Sequence, residues 1–143
     1  MTPVEEIFNL AYGIITDTDY AKLSDEDLKD LSITFLKFSI TKFKELKADT
    51  TMVEDDFGDI YFQDELTIEE QMILAYGMLY AWLHQKVMYN RMLKNAINSK
   101  DFQQLSQANV LLRANELLDY VRKEFNRLRK SYTKRYDNFQ GWS

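Results

Sequence analysis

Residues 67–87 read TIEEQMILAYGMLYAWLHQKV and contain the longest apolar run in the 143-residue chain. Thr67 and Glu70 stand three apart at its head. At that spacing a hydroxyl caps the glutamate amide and the glutamate reaches back to the threonine amide. From Ile73 to Leu83 there are 11 residues without a charge. That is about half the length that spans a bilayer, so the run predicts a helix buried on nearly every side, not a membrane segment. Met72, Ala75, Tyr76, Leu79, Trp82, Leu83, Val87 and Leu93 keep helical spacing and carry it to about Ile97, where Asn98-Ser99-Lys100 breaks it.

A helix apolar all round needs other helices to cover it, and the punctuation agrees. Four Gly and one Pro in the whole chain favour long helices with few tight turns. The single proline follows Thr2, so Thr2 is expected as an N-cap, Pro3 as the first helical residue and Glu5 as the return partner of a capping box. Val4, Ile7, Phe8, Ala11, Tyr12 and Ile15 then predict helix one, to about Asp17. Ser24-Asp25-Glu26-Asp27 caps a second helix over about 25–47, with Leu28, Leu31, Phe35, Leu36, Ile40, Phe43 and Leu46 on its apolar face. A fourth is expected from about Asp101 to Tyr136. Leu111, Ala114, Leu118, Val121, Phe125, Leu128 and Tyr132 alternate in steps of three and four along it, a seam that asks for a partner helix. A helix of that length is on the order of 50 Å long and is expected to protrude from its own domain.

Between helices two and three, ADTTMVEDDFGDIYFQDEL has no helical logic. Phe57, Ile60, Tyr61 and Phe62 suit a strand, but Asp49, Glu54, Asp55, Asp56, Asp59, Asp64 and Glu65 surround them. A long acidic loop or a small hairpin is expected. The fold class is therefore all-α: a four-helix core in one domain over residues 1–136, with an extended aromatic tail over 137–143. A chain of this size buries roughly two thirds of its unfolded surface, which suffices for one core.

Charge is segregated. Residues 1–70 hold 18 acids and 6 bases, whereas residues 71–143 hold 5 acids and 12 bases. Arg122, Lys123, Arg127, Arg129, Lys130, Lys134 and Arg135 crowd the end of the fourth helix, with Glu124 the single acid in that run. Three readings stay open. The bases can complement the helix dipole and solvate a protruding helix. They can contact nucleic-acid phosphates, with Tyr132 and Tyr136 interleaved. Or they can meet the acidic part of another copy head to tail, a contact that closes into a ring when the rotation permits.

Chemical motifs are sparse, and no enzyme is expected. There is no cysteine, which removes disulfides, thiolate metal sites and thiol nucleophiles together. Asp56-Phe57-Gly58 spells a kinase metal motif without its companions, and the acids of residues 54–64 lack the spacing of a calcium loop. His84, the single histidine, has no ligand-type residue at the next helical turn and reads as a hydrogen-bonded core or boundary residue. No cofactor, metal or catalytic residue is expected. The opening MTPVEEIFNL lacks the basic and apolar regions of a secretory signal, so export by that route is not expected.

TIEEQMILAYGMLYAWLHQKV and the later NSKDFQQLSQANVLLRANELLDYVRKEF resemble the helical core of the adaptor proteins (head completion, or neck, proteins) of tailed bacteriophages, over roughly residues 3–136. The resemblance implies a structural virion protein at the head-tail junction, assembled in the bacterial host cytoplasm. It implies a homo-oligomeric ring of about a dozen copies beneath the portal protein, extending the DNA channel. The next neck or tail-completion protein would dock on the ring, and double-stranded DNA would pass through without sequence-specific binding. Tyr136, Phe139 and Trp142 would anchor in the portal, as aromatic hot spots do. The seven bases near the end of the fourth helix would face a neighbouring subunit, and the acids of residues 49–65 would line the channel or face a partner. The alternatives are a small nucleic-acid-binding protein, or a helical partner-binding protein that forms a coiled coil through the seam.

Overall fold

The computed structural model describes residues 1–14, 25–96 and 107–140. The chain is mostly helical, with a small three-stranded sheet. In order the elements are β1 (Thr2–Pro3), α1 (Val4–Ile14), α2 (Asp25–Lys42), β2 (Met52–Glu54), β3 (Ile60–Phe62), α3 (Ile68–Ala96) and α4 (Gln107–Gln140).

α3 is the axis, as its apolar run requires, and it packs against α1, α2 and α4. From Glu70 to Leu83 every residue is buried except for the half-buried Met72, Tyr76, Tyr80 and Trp82. The predicted capping box opens it: Thr67 N donates to Glu70 Oε1 at 2.9 Å, and Glu70 N donates to Thr67 Oγ1 at 3.1 Å. α4 runs antiparallel to α3, since Arg135 pairs with Glu69 while Phe125 lies beside Gly77. α2 is also antiparallel to α3: the Ser39 hydroxyl donates to the Leu74 carbonyl at 2.7 Å, and Phe38 stacks on Tyr80 at 5.9 Å.

The seam of α4 is spent inside the chain. Ala114, Val121, Phe125 and Tyr132 are buried, and Leu118 and Leu128 pack on the same core. The protruding helix expected from the sequence is therefore corrected over this stretch: α3 and α2 supply the partner. α4 also runs on to Gln140, so residues 137–140, expected in an extended tail, continue the helix.

The all-α expectation is modified by the sheet. The acidic segment forms the β2–β3 hairpin, with Met52 opposite Phe62 and Glu54 opposite Ile60. β1 adds to the other edge of β3, with Thr2 opposite Phe62, giving the order β1-β3-β2. The capping box expected at Thr2 is thereby overturned. The Thr2 hydroxyl donates to the Asp64 carbonyl at 2.9 Å and accepts from Leu66 N at 2.8 Å, so it ties the first strand to the segment before α3 instead of capping α1. Pro3 is tolerated because β1 is an edge strand. Phe62 turns from the sheet into the core and is fully buried with Leu66, Ile7 and Phe43 nearby in the same cluster. The second helix ends at Lys42, not at about 47; the predicted cap at Ser24 and the break at Asn98-Ser99-Lys100 lie outside the described residues.

Candidate subunit-contact surfaces

The basic face of α4 is largely neutralised within the chain. Asp119 takes Arg122 at 2.6 Å and Lys123 at 2.9 Å, and Arg127 pairs with Glu124 one turn back. Such exposed pairs one turn apart are screened by solvent and add little to stability. Their electrostatic imprint is nonetheless visible. Lys123 and then Arg122 hold the Asp119 carboxyl below its usual range, and Arg127 does the same to Glu124.

Two of the bases tie elements together. Arg129 grips Glu45 bidentately, Nε to Oε2 at 3.0 Å and Nη2 to Oε1 at 2.7 Å, while its guanidinium lies 5.2 Å from the centre of the Phe125 ring. The hydrogen bonds from Arg129 lower the Glu45 pKa against the opposing effect of burial. Arg135 reaches Glu69 at the start of α3 at 2.6 Å. Lys130 and Lys134 remain, exposed and without an ion pair among the described residues, beside a groove whose other walls are Glu45, Asn126, Arg129 and Thr133. Of the seven bases, five make ion pairs inside the chain, four of them (Arg122, Lys123, Arg127 and Arg135) while staying exposed, and Lys130 and Lys134 are exposed without one among the described residues.

The acids divide in the same way. Asp49 accepts from Thr51 N and Oγ1 at 2.9 and 2.7 Å, which lowers its pKa, and its own amide donates to Asp64 Oδ2 at 2.7 Å. Glu65 pairs with the amino terminus of Met1 at 3.0 Å. Asp55 closes the hairpin: its Oδ1 accepts from Phe57 N and Asp59 N, both at 2.9 Å, and its carbonyl accepts from Gly58 N at 3.1 Å. Gly58 has φ of 83°, the left-handed conformation that ends a turn of this kind at little cost for glycine. Glu54, Asp56 and Asp59 are exposed without an ion pair among the described residues. Phe57 stands between them, 91% exposed. The tip is fixed to the start of α2 by Lys29 Nζ, which donates to the Gly58 carbonyl at 2.7 Å.

The expected aromatic anchors fall at the end of the chain. Tyr136 and Phe139 lie on the last turns of α4, with side chains outside the described set, and Trp142 lies outside the described residues. His84, expected at a hydrogen-bonded core or boundary position, is exposed and stacks on Tyr80 at 6.2 Å. Among the described residues no three His, Asp or Glu side chains converge as a metal site, and no helix is long and apolar enough to cross a membrane.

Sequence reasoning missed a set of exposed apolar side chains on the α3–α4 hairpin: Met88 and Tyr89 on one helix, Leu117 and Tyr120 on the other. The signal was present. All four are large apolar residues that fall off the stripes at helical spacing, and an off-stripe apolar residue on a covered helix has to face outward. Phe57 carried the same signal, an aromatic side chain set among acids in a turn. Compared with known proteins, the chain matches no protein family, no curated protein and no solved structure.

Proposed function

We propose that the chain is a structural subunit of a head-to-tail ring, the adaptor between the portal of a DNA-filled capsid and the next neck or tail-completion component of a tailed bacteriophage. The observation that carries the reading is the apolar surface on the long α3–α4 hairpin. Met88, Tyr89, Leu117 and Tyr120 are exposed on a frame whose own core is already filled. Side-by-side packing of identical hairpins buries such residues, and a repeated heterologous contact closes into a ring when its rotation permits. The resemblance of residues 67–87 and 98–125 to connector adaptors supplies the biological setting: a virion protein at the head-tail junction, assembled in the host cytoplasm. There Tyr136, Phe139 and Trp142 insert into the portal and DNA slides past without sequence-specific contacts.

The other readings draw less support. Phosphate binding along α4 competes with Asp119, Glu124, Glu45 and Glu69, which already hold five of its bases. A coiled-coil dimer would use a seam that is already buried against α3 and α2.

Light scattering over a wide concentration range, with negative-stain images of the same samples, tests the proposal. Closed rings of about a dozen copies are expected, alone or on an added portal. A protein that stays monomeric with the portal present, or that stops at a dimer, would overturn it.

A further inference from the structure

Two clusters of charge without an ion pair among the described residues, the acidic hairpin tip and the Lys130/Lys134 groove, lie at opposite ends of α2. The hairpin tip is held at its beginning by the bond from Lys29 to Gly58, and the Lys130/Lys134 groove opens just past its end, where Arg129 holds Glu45. Between Lys29 and Lys42 an α-helix rises roughly 20 Å, so the tip cannot reach the groove of its own chain. Each subunit therefore carries one unsatisfied acidic tip with an apolar centre and one unsatisfied basic groove, separated by a rigid helix.

We propose that the tip of one copy docks in the groove of the next. Phe57 lies against the aliphatic stems of Lys130 and Lys134, whose ammonium groups meet Asp56, Asp59 and Glu54. A second copy is the occupant that the charges select. The groove offers two free cations next to an already neutralised Arg129, and the tip offers three free acids around a 91% exposed ring. The tip is also preorganised, because Asp55 fixes the turn through four hydrogen bonds and little entropy remains to be lost on docking. Such a contact is heterologous by construction: donor and acceptor surfaces differ, and each subunit uses both. The inference rests on the head-to-tail reading above and names the residues that make the contact.

The natural chain has no cysteine, which makes the contact addressable. Asp56→Cys and Asn126→Cys place one thiol on the tip and one on the exposed rim of the groove. On mild oxidation the double variant is expected to give a ladder of covalent multimers, each single variant staying at monomer mass on a non-reducing gel. Adding Lys130→Glu and Lys134→Glu is expected to remove the ladder with unchanged helicity, and adding Glu54→Lys and Asp59→Lys to that chain is expected to restore it. Light scattering on the same unoxidised wild-type protein separates this contact from the ring. Rings without the ladder overturn the contact and leave the ring standing. A ladder from a protein that forms open chains supports the contact and overturns the ring. Monomers without a ladder overturn both, and equal cross-linking by the single variants shows random collision and overturns the contact.

Discussion

Ser39 on α2 occupies the space that any side chain on Gly77 of α3 would need. A Cβ at residue 77 would lie 2.8 Å from Ser39 Cβ and 3.1 Å from Cε2 of Phe125 on α4. Three helices therefore meet at one residue without a side chain, and the fully buried Ser39 hydroxyl is satisfied there by the Leu74 carbonyl. Gly77→Ala is expected to destabilise the fold by about 1–3 kcal/mol, even though alanine is the better helix former, because the methyl collides with two neighbouring helices. Urea unfolding followed by circular dichroism measures it. Ser39→Gly in the same chain should recover part of the loss, and a Gly77→Ala protein as stable as the wild type would contradict the close approach.

Tyr132 closes the end of the bundle where α3 begins. Its hydroxyl donates to Glu70 Oε2 at 3.0 Å and accepts from Lys47 N at 3.3 Å, while its ring meets Phe43 edge to face at 5.2 Å. Glu70 is buried and also completes the α3 capping box, so its carboxylate joins the start of α3 to α4. Tyr132→Phe keeps the ring and removes the hydroxyl. It is expected to cost about 1–2 kcal/mol, because a buried carboxylate oxygen loses a donor. Tyr132→Ala should cost about 3–5 kcal/mol, since the cavity adds to the lost bond. Equal losses in the two variants would show that packing contributes nothing at this site.

The two variants also mark what the sequence could disclose. The stripe that includes Tyr132 was legible, because spacing reports which face of a helix is covered. Its covering partner was not, because periodicity is silent on whether α3 of the same chain or a second chain lies opposite. The Thr67–Glu70 box was readable for the same local reason: both partners sit within one turn. The Thr2 box failed because its competitor, the Asp64–Leu66 backbone, is 62–64 residues away. The basic run suffered likewise. Glu124 is visible beside Arg127, but Glu45 and Glu69 lie 84 and 66 residues from Arg129 and Arg135. A charge count along the chain therefore overstated the unpaired positive charge, since only Lys130 and Lys134 of the seven lack an ion pair among the described residues.

The Arg129–Glu45 pair gives a pH dependence with a definite sign. Glu45 is held below its ordinary value of 4.5, chiefly by hydrogen bonds from Arg129. A depressed folded-state pKa means that the pair stabilises above the unfolded value and that this contribution is lost as pH falls through the folded one. Glu45→Gln is therefore expected to lower stability at neutral pH by about 0.5–1.5 kcal/mol, a modest figure because both side chains are partly exposed. The gap between the two proteins should close as the pH is taken below 4.5. Urea midpoints at a series of pH values test this, and a gap that widens in acid would reverse the assignment. Arg129→Glu should be far more harmful to the monomer than Lys130→Glu, because it sets two acids together at the junction of α2 and α4.

Phe57 and Gly58 are neighbours with opposite expected behaviour. Phe57 is 91% exposed and buries almost nothing within the chain, so Phe57→Ser should leave the unfolding free energy within about 0.5 kcal/mol. Gly58 has φ of 83°, where a side chain is strained, so Gly58→Ala should cost on the order of 1 kcal/mol and loosen the turn. Assembly should respond in a different order. Removing an aromatic anchor from a docked interface costs about 2 kcal/mol or more, which raises the concentration needed for association about thirtyfold. Gly58→Ala keeps the anchor and should shift that concentration less. Sedimentation velocity over a concentration series, paired with urea unfolding of the same samples, reads both quantities. If Phe57→Ser assembles at the wild-type concentration, the exposed ring has no part in subunit contact; if it unfolds more easily than Gly58→Ala, the ring packs within its own chain.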